Sequence, residues 1–584
     1  MPAFDPIINY WDSNLHLRFL INRSFEKYPD QLRTIDDILR MAGELAGKEF
    51  APRAHDNEKE RSRLEWDLST SPKISRVVLP DGANETLRRL REQGLIGITL
   101  PNELGGAGLP QMVDGALAYM MFQADTAVYT IPGLTAGVAE TIFRFGSEDL
   151  KKEFIPKLIS TKPEEAYSGA MVLTESQAGS DVGAIKTIAK KVNNHYSVHG
   201  EKIFISNPDA DVFIVLARTE GAKQGTNGLS LFLVPKHLKD GKRNNVYVTR
   251  LEEKMGINSS PTGATTFEGA EAYLVGQEEK GFAHMLYLMN RSRLGVGTQG
   301  LGIAERALLQ SESYCAERVQ FGQALENHPL MQEHLVNMRI QIEAATSFVF
   351  KAYEMIDKFF ALKGKAEEDL IGADKAEFER YQRLVRIMTP LAKYRGSELS
   401  VFIAARAIDN FGGHGYIKEN GIEQRLREAV ITRIYEGTND IQALEVLKSH
   451  VRDQTIDALL EDAGINLGKV TDERLKPYSD IVGAAIQSAY TGMGKIIGSQ
   501  NPFVAGQVEA RKIAEFLITI YEASLMLEEA QYVINTKQDW RKAVMAMKYI
   551  DDKMMPIGEI INGNMTATRY FENIVKHKPL GSLN

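Results

Sequence analysis

The sequence has few of the residues from which disulfide frameworks, thiolate metal centres and membrane spans are built. Its 584 residues include one cysteine, Cys315, so no disulfide can form within the chain and no cluster of thiolates can hold a metal. A lone cysteine is typical of a reducing compartment, and we expect a cytoplasmic protein. The most apolar C-terminal run, 513–527, is interrupted by Glu515 and Glu522, which predicts an amphipathic helix and no membrane span. The N-terminal residues 1–18 contain no long apolar run and predict no secretory signal.

An excess of positive charge is also missing. The chain has 69 Lys and Arg against 77 Asp and Glu, a net charge of -8, which gives no electrostatic reason to expect a nucleic-acid partner. Hydrophobic residues make up 43% and charged residues 25%, as in ordinary soluble globular proteins. The length predicts about three or four domain-sized units.

The hydrophobic period changes twice along the chain. Helical spacing predominates up to about Ser160, strand-like patterns occupy roughly 170–275, and helical spacing returns from Phe282 onward. Asn193-Asn194 precedes an alternating stretch and is a hairpin signal. Four segments in the central region are predicted as strands: 195–199, 212–216, 229–234 and 246–249.

A break between two helical patterns sets Glu436 apart from the other glutamates. Apolar residues recur at helical spacing through 426–434 and again after the break. Gly437 can adopt the left-handed conformation that ends a helix, and Thr438 or Asn439 can cap the next one. Because apolar walls raise a carboxyl pKa and a helix start stabilises the anion, Glu436 is a candidate for proton transfer. A solvated glutamate in a loop is the alternative.

Residues Gly295–Gly300 match the dinucleotide-binding fingerprint as a string. That fingerprint works between a strand and a helix, where glycines let a pyrophosphate approach backbone N–H groups. Here the preceding segment, 285–293, has helical spacing. We therefore interpret these small residues as a site of close helix packing.

Three further segments have candidate binding chemistry and an ordinary structural alternative. The polar loop Thr174–Asp181 can hold a ring or phosphate, or be a surface turn. The glycine cluster 411–416 can approach a pyrophosphate, or end a helix. Arg318 with Phe321 can pair a charge and a ring with a nucleotide, or be a solvated arginine beside a core phenylalanine.

A metal site is not predicted. His195 and His199 lie on one face of a predicted strand, but no Asp, Glu or Cys cluster joins them.

The order of these motifs along the chain carries more information than any one of them. In combination they resemble the acyl-CoA dehydrogenase family over about 36–450. The motifs are Val172-Leu173-Thr174-Glu175 with Ala178-Gly179-Ser180-Asp181, Phe204-Ile205-Ser206-Asn207, Arg318 to Phe321, Phe411-Gly412-Gly413-His414-Gly415-Tyr416 and Ile434 to Thr438.

Two more segments resemble the long bacterial branch of the family, which includes methylmercaptopropionyl-CoA dehydrogenases and has an extra C-terminal helical region. They are Lys254-Met255-Gly256-Ile257 with Ser260-Pro261-Thr262, and Met289-Asn290-Arg291-Ser292-Arg293-Leu294. The resemblance implies an α+β, mostly α fold. The implied domains are an N-terminal helical domain with an extension (1–168), a β domain (169–280), a helical domain with the catalytic base (281–455) and an additional helical domain (456–584).

The resemblance also implies an FAD site. Leu173, Thr174 and Ser206 are implied to line the flavin ring, with the Ser206 hydroxyl near its N5/O4 edge. Phe204 is implied to pack on the ring where many relatives have tryptophan. Gly179 and Ser180 are implied to approach the pyrophosphate and the pantetheine arm. Arg318 and Phe321 of the neighbouring subunit, together with Gly412 and Gly413, are implied to reach the FAD phosphates and the adenosine side. Thr438 is implied to contact the cofactor near the catalytic base.

The resemblance assigns the catalytic base to Glu436, because the family's other base position holds Ser292, which has no carboxylate. Glu436 is implied to remove the α-proton of an acyl-CoA while the β-hydrogen leaves as hydride to flavin N5, giving a trans-2-enoyl-CoA. Ser180 and Arg293 are the implied substrate residues. The family solution for the thioester oxygen is an oxyanion hole that includes the backbone N–H of the glutamate.

Three positions depart from the family pattern. Asp409 stands where relatives often have a glutamine near the pyrophosphate, and its charge calls for a neutralising cation. Asp440 replaces another common glutamine, and Gln320 stands where some relatives have threonine. The departures affect adenine and phosphate binding.

The implied partners are an acyl-CoA, an electron-transfer flavoprotein as acceptor and further copies of the chain in a dimer or tetramer, in fatty acid metabolism and β-oxidation. Two rival functions are an acyl-CoA oxidase that uses oxygen and a DNA-associated member of the fold. The second needs a basic C-terminal surface. Residues 455–584 contain 14 Lys and Arg and 16 Asp and Glu, which argues against it. A third possibility is that this block serves only as an interaction module.

Overall fold

The computed structural model describes residues 6–67, 69, 74–364, 372–555 and 565–583. A β-containing unit comprises Ile7–Trp11 and Asp36–Gly295, and a helical unit contains Asp12–Ile35 and Val296–Asn584. The predicted α+β, mostly α class is confirmed, whereas the four-part domain division stays a prediction.

Helices form most of the chain, where apolar residues recur at helical spacing. In chain order they are Tyr10–Ser13 (α1), Leu15–Phe25 (α2), Pro29–Glu44 (α3), Ala54–Glu60 (α4), Asp81–Glu92 (α5), Gln111–Ala124 (α6), Thr126–Phe145 (α7), Glu148–Leu158 (α8), Gly281–Glu317 (α9), Pro329–Lys363 (α10), Ala373–Phe411 (α11), Ile422–Thr432 (α12), Asn439–Asp453 (α13), Thr455–Leu467 (α14), Lys476–Ile497 (α15), Pro502–Lys537 (α16), Arg541–Met554 (α17), Thr566–Arg569 (α18) and Phe571–Ile574 (α19).

The strands lie mainly in the predicted central region. They are Arg63–Asp67 (β1), Ile74–Val78 (β2), Gly169–Val172 (β3), Ile188–Val192 (β4), His195–Ser206 (β5), Val212–Thr219 (β6), Leu229–Pro235 (β7), Val246–Leu251 (β8), Thr262–Leu274 (β9), Val319–Gln320 (β10) and Gln323–Ala324 (β11). All four predicted strand segments and the hairpin at Asn193-Asn194 are confirmed.

The hairpin β1–β2 was not predicted, because the N-terminal part of the chain was expected to be helical. Its strands pair in antiparallel register, with Glu65 opposite Arg76. The Ser75 hydroxyl is buried and donates to the carbonyl of Val248, 2.6 Å away on β8. Because the partner residue is distant in sequence, the local hydrophobic pattern does not reveal this contact.

The central sheet closes on itself. Strand β6 pairs with β4 and β7, and the path continues through β5 and β9 back to β7. Closure of a sheet into a ring removes exposed strand edges along that path. Strands β3 and β8 form additional pairs, with β6 and β9 respectively.

The largely buried strand β6 separates two apolar clusters, because alternate side chains point to opposite faces. Val212, Ile214 and Leu216 pack in a cluster with apolar residues of α7 and α8. Phe213 and Val215 face the other way, toward β5 and β9. The continuous apolar run in the sequence therefore reflects a strand covered on both sides.

Helices α9 and α11 approach closely within the helical unit. A Cβ atom on Gly300 would lie 2.1 Å from the carbonyl oxygen of Gly396, and one on Gly297 would lie 2.7 Å from that of Ala392. The string Gly295–Gly300 lies inside α9. This confirms the interpretation as close helix packing, and no strand precedes the string as a dinucleotide fingerprint requires.

Candidate active site

Glu436 lies in the turn between α12 and α13, as the sequence predicted. Helix α12 ends at Thr432, and Thr438 caps α13 by accepting a hydrogen bond from the backbone N–H of Ile441 at 3.3 Å. Gly437 has a φ of 85°, and Glu436 itself has a φ of 57°. A non-glycine residue in the left-handed region costs of order 1–3 kcal/mol and persists only where its surroundings determine it.

The residue at the start of α13, Asn439, is held in place by side chains of α11. Asn439 is buried, and its Oδ1 accepts from Lys393 Nζ at 2.8 Å and from Ser397 Oγ at 3.0 Å. Its Nδ2 donates to Glu398 Oε1 at 2.9 Å. Because Lys393 and Ser397 are fully buried on a long helix, they fix the start of α13 and with it the end of the turn.

Tyr435 anchors the other side of the turn through a neutral contact. Its hydroxyl donates to Oε1 of Gln299 on α9. Burial raises the pKa of Tyr435 well above its usual value, the hydrogen bond to Gln299 opposes the rise, and the nearby charge of Glu436 adds to it. Tyr435 therefore stays protonated at neutral pH, while Glu436 beside it is half-buried rather than fully solvated.

The C-terminal helical block also contacts this turn. Arg511 on α16 donates to Glu398 Oε1 at 2.9 Å and to Asp440 Oδ1 at 3.2 Å. Arg433, just before the turn, donates to the same Glu398 oxygen at 3.2 Å. Asp440, one of the departures from the family pattern, thus has a partner from the additional region.

In the β-containing unit, Glu175 fixes the polar loop Thr174–Asp181. Its carboxylate lies 2.9 Å from the fully buried Lys202 Nζ and accepts from the Thr187 hydroxyl at 2.6 Å and the Lys186 backbone N–H at 2.8 Å. Burial alone would raise the pKa of Glu175, but these partners, Lys202 first, lower it to about 2. Glu175 is a charged support for the loop.

The predicted flavin-ring residues of this unit come together beside that pair. Lys202 Nζ donates to the Leu173 carbonyl at 2.7 Å, and the Ile203 N–H donates to the Thr174 carbonyl at 2.9 Å. The next residue, Phe204, has a φ of 57° and is 61% exposed, at a register shift of β5. Ser206 is half-buried at the end of the strand.

The open ends of the loop suit the close approach of a ligand. Gly179 and Ser180 are exposed, and a Cβ on Gly179 would have nothing within 4 Å. Arg293 lies elsewhere in this unit, inside α9, where it is buried and donates to Asn290 Oδ1 at 3.0 Å. Ser292 is half-buried on the same helix.

Arg318 and Phe321 belong to the helical unit: Arg318 precedes the short hairpin β10–β11, and Phe321 lies in its turn. Both are exposed, Phe321 by 95%, with a φ of 51°. One turn earlier, Tyr314 stacks on Phe411 at 4.1 Å between ring centroids and shares a hydrogen bond of 2.9 Å with His414. This contact ties the end of α9 to the segment that contains the glycine cluster.

The glycine cluster ends α11 and leaves open backbone. Gly412 has a φ of 59° and a ψ of -138°, a conformation essentially confined to glycine. A Cβ on Gly412 or Gly413 would have nothing within 4 Å. Asp409, whose charge called for a cation, accepts a long hydrogen bond of 3.4 Å from Arg406.

Sequence reasoning missed the side chains that hold the two loops. Lys202 and Lys393 are fully buried lysines within ordinary strand and helix patterns. An isolated lysine at an otherwise apolar position was the available signal, because a buried cation requires a partner.

Metal and membrane sites are not found among the residues that the structure describes. No group of three or more His, Cys, Asp or Glu there is arranged to hold a metal ion. None of the described helices combines the length and apolar character needed to cross a bilayer. Cys315 is buried, and burial raises the pKa of its thiol to about 12.

Comparison with known proteins gives three consecutive family matches. Residues 34–162, 170–270 and 279–450 match the models of the acyl-CoA dehydrogenase N-terminal, middle and C-terminal domains. The 3-methylmercaptopropionyl-CoA dehydrogenase of Ruegeria pomeroyi is 34% identical over 425 residues, which cover 69% of this chain and 68% of the relative.

Solved structures agree with the fold. The structure of Caenorhabditis elegans ACDH-11 in complex with C11-CoA superposes with a TM-score of 0.85 at 23% identity, over 98% of this chain and 96% of that one. An acyl-CoA dehydrogenase from Bacillus anthracis complexed with FAD gives a TM-score of 0.68 at 27% identity, over 86% and 87%. The chain belongs to the acyl-CoA dehydrogenase family, a family of oxidoreductases.

Proposed function

We propose that this protein is an FAD-dependent dehydrogenase that converts an acyl-CoA thioester to a trans-2-enoyl-CoA, with Glu436 as the base. The observation that carries the proposal is the half-buried Glu436 carboxylate on a left-handed turn, inside the region that matches the family's C-terminal model. A carboxylate beside a helix start and partly shielded from water is suited to proton transfer.

In the proposed reaction, Glu436 takes the α-proton of the acyl group and a double bond forms between Cα and Cβ. The α-proton is weakly acidic, so charge on the thioester oxygen must be stabilised by fixed donors, each worth about 3 kcal/mol. The backbone N–H of Glu436 is one such donor by family resemblance. The constrained φ of this residue supports that role, because a fixed peptide needs no reorganisation during the reaction.

FAD is the cofactor that the family uses. We propose that residues of each unit, described separately below, contribute to binding it. When bound, it supplies the acceptor for the β-hydrogen, which leaves as hydride to N5. In the β-containing unit, the half-buried Leu173, Thr174 and Ser206 and the exposed Phe204 offer two hydroxyls and an aromatic face. The open backbone of Gly179 admits a phosphate or an extended polar chain.

The helical unit provides groups suited to the phosphates and adenosine. Gly412 and Gly413 have open backbone, and Arg318 provides an exposed guanidinium, which binds phosphate well. Phe321 adds an exposed ring, and Thr438 a hydroxyl at the start of α13. We propose that Ser180 and Arg293 act on the substrate side.

The wider assignments follow from the same proposal. The exposure of Phe321 and Arg318 supports a dimer or tetramer in which these side chains serve a neighbouring subunit. We propose a cytoplasmic enzyme of fatty acid β-oxidation with an electron-transfer flavoprotein as acceptor. The balanced charge of residues 455–584 supports a protein with no nucleic-acid partner.

A panel of acyl-CoAs tests the proposal most directly. The purified yellow protein is mixed anaerobically with thioesters of different chain length, including one with a thioether, and the flavin absorbance is followed. Bleaching by at least one thioester, with formation of its trans-2-enoyl-CoA, is the expected result. Absence of bleaching with the whole panel contradicts the proposal, and peroxide formation in air without an acceptor protein supports an oxidase instead.

A further inference from the structure

The carbonyl groups of Glu436 and Gly437 point to the same side chain. Gln442, in the first turn of α13, donates from Nε2 to the Glu436 carbonyl at 3.1 Å and to the Gly437 carbonyl at 3.1 Å. Its side chain is fully buried. Both partners are carbonyl oxygens, which only accept hydrogen bonds, so the NH₂ group and not the amide oxygen must face them.

The Gln442 amide supplies the hydrogen-bond donors that the carbonyls of this turn require. Glu436 is not glycine and adopts the left-handed region, which stores strain that surrounding contacts must offset, whereas Gly437 adopts it freely. An amide NH₂ group has two hydrogens, which is the number needed for two carbonyls. Loss of the amide would leave the carbonyls of Glu436 and Gly437 without this donor.

We propose that Gln442 is a positioning residue for Glu436, and this inference rests on the proposed function of Glu436 as base. Gln442 holds the Glu436–Gly437 peptide in one orientation. The Glu436 carboxylate and its backbone N–H therefore keep their geometry through the catalytic cycle. A positioned base must be held within a fraction of an ångström, because small displacements cost large factors in rate.

The neutral amide is the important chemical feature. A glutamate at 442 has the same shape, but its ionised carboxylate would present only acceptors to the two carbonyls. A methionine has similar volume and no donor at all. Gln442→Glu and Gln442→Met therefore both remove the hydrogen bonds, and they differ in charge.

The control is a second buried glutamine that bonds to the backbone of a different segment. Gln531 on α16 accepts from the backbone N–H groups of Thr471 and Asp472 at 2.8 and 2.7 Å. Gln531→Met removes two backbone hydrogen bonds as Gln442→Met does, but away from the Glu436 turn in the chain. If only general stability mattered, both variants would behave alike.

The first measurement is steady-state kinetics of the FAD-loaded protein with a thioester that bleaches the parent. We expect Gln442→Met to lower kcat about 10- to 100-fold with KM changed by less than about threefold, and Gln531→Met to keep kcat within about twofold. In a Glu436→Gln background, Gln442→Met should add little further loss, because both changes act through one group. Parent-like kcat in both Gln442 variants overturns the inference.

The second measurement does not depend on activity. Backbone hydrogen exchange of the segment 433–441 should become at least about tenfold faster in Gln442→Met and stay unchanged in Gln531→Met. Unchanged exchange in Gln442→Met overturns the positioning role even if the enzyme is slow. Full activity of Glu436→Gln would instead contradict the proposed function, so the two failures are distinguishable.

Discussion

The polar loop Thr174–Asp181 and the turn at Glu436 both present proposed site residues on irregular backbone, but different chemistry holds them. The loop depends on the buried ion pair of Glu175 with Lys202. At the turn, the carbonyls of Glu436 and Gly437 bond to the neutral amide of Gln442, and the Tyr435 hydroxyl bonds to that of Gln299. A neutral support leaves the titration of an adjacent base undisturbed, whereas a charged support shifts it.

The charged pair of Glu175 with Lys202 therefore holds a loop whose proposed role does not require a change of protonation. Glu175 remains ionised throughout the physiological range, since its pKa is lowered to about 2. The two carbonyls of the Glu436 turn bond to the neutral amide of Gln442. Lys393 contacts the start of α13 through the amide of Asn439. Four variants test the base, the buried ion pair and the charged contact from the C-terminal block.

Glu436→Gln should have the largest effect. The amide keeps the shape of the side chain but cannot accept the α-proton, so we expect kcat to fall by about 10³- to 10⁴-fold. The variant should keep its yellow cofactor and its affinity for acyl-CoA. Stopped-flow flavin reduction measures the chemical step, and a rate equal to that of the parent would remove Glu436 from the mechanism.

Lys202→Met tests the charged support. It leaves the Glu175 carboxylate buried without its cation, and breaking one partner of a buried ion pair costs about 3 kcal/mol or more. Denaturant unfolding measures the loss. The matched control, Lys190→Met, breaks an exposed pair with Glu220 and should cost less than about 1 kcal/mol. Equal losses in the two variants would contradict a special role for the buried pair.

Glu175→Gln makes the same comparison by pH. Because the native pKa of Glu175 is about 2, below its ordinary 4.5, its charge stabilises the fold above about pH 4.5, and that contribution is lost as the pH falls toward 2. The parent should lose melting temperature between pH 5 and 3 more steeply than Glu175→Gln. Parallel profiles would show that the carboxylate does not couple folding to protons.

Arg511→Ala should have the smallest effect, on the contact from the C-terminal block. Its pairs with Glu398 and Asp440 are partly exposed, and such pairs contribute about 0–1 kcal/mol, which limits the fall in kcat to about fivefold. Lys512→Ala, the next residue on α16, is the control because its partner, Glu509, lies on the same helix. A fall in kcat of more than about tenfold would show that the C-terminal block supports the turn more strongly than the exposure of the Arg511 ion pairs indicates.

Local pattern predicted four strand segments, the helix break at Glu436 and the close helix packing at Gly295–Gly300, because each depends on a few neighbouring residues. Pattern did not predict β1–β2 or the buried lysines Lys202 and Lys393. These features form only when segments distant in sequence meet, as when Ser75 bonds to Val248. The residue-by-residue cofactor assignments came from family resemblance and remain predictions.

The close packing of α9 and α11 limits which mutations the protein can accept. With a Cβ atom on Gly300 only 2.1 Å from the Gly396 carbonyl oxygen, even alanine there would force the helices apart. Lys393 lies one turn from Gly396 and would move with α11, and Asn439 and the start of α13 would lose their anchor. A change of one methyl group, remote in sequence from the base, should therefore slow the enzyme, and natural variation at these glycines should be narrow.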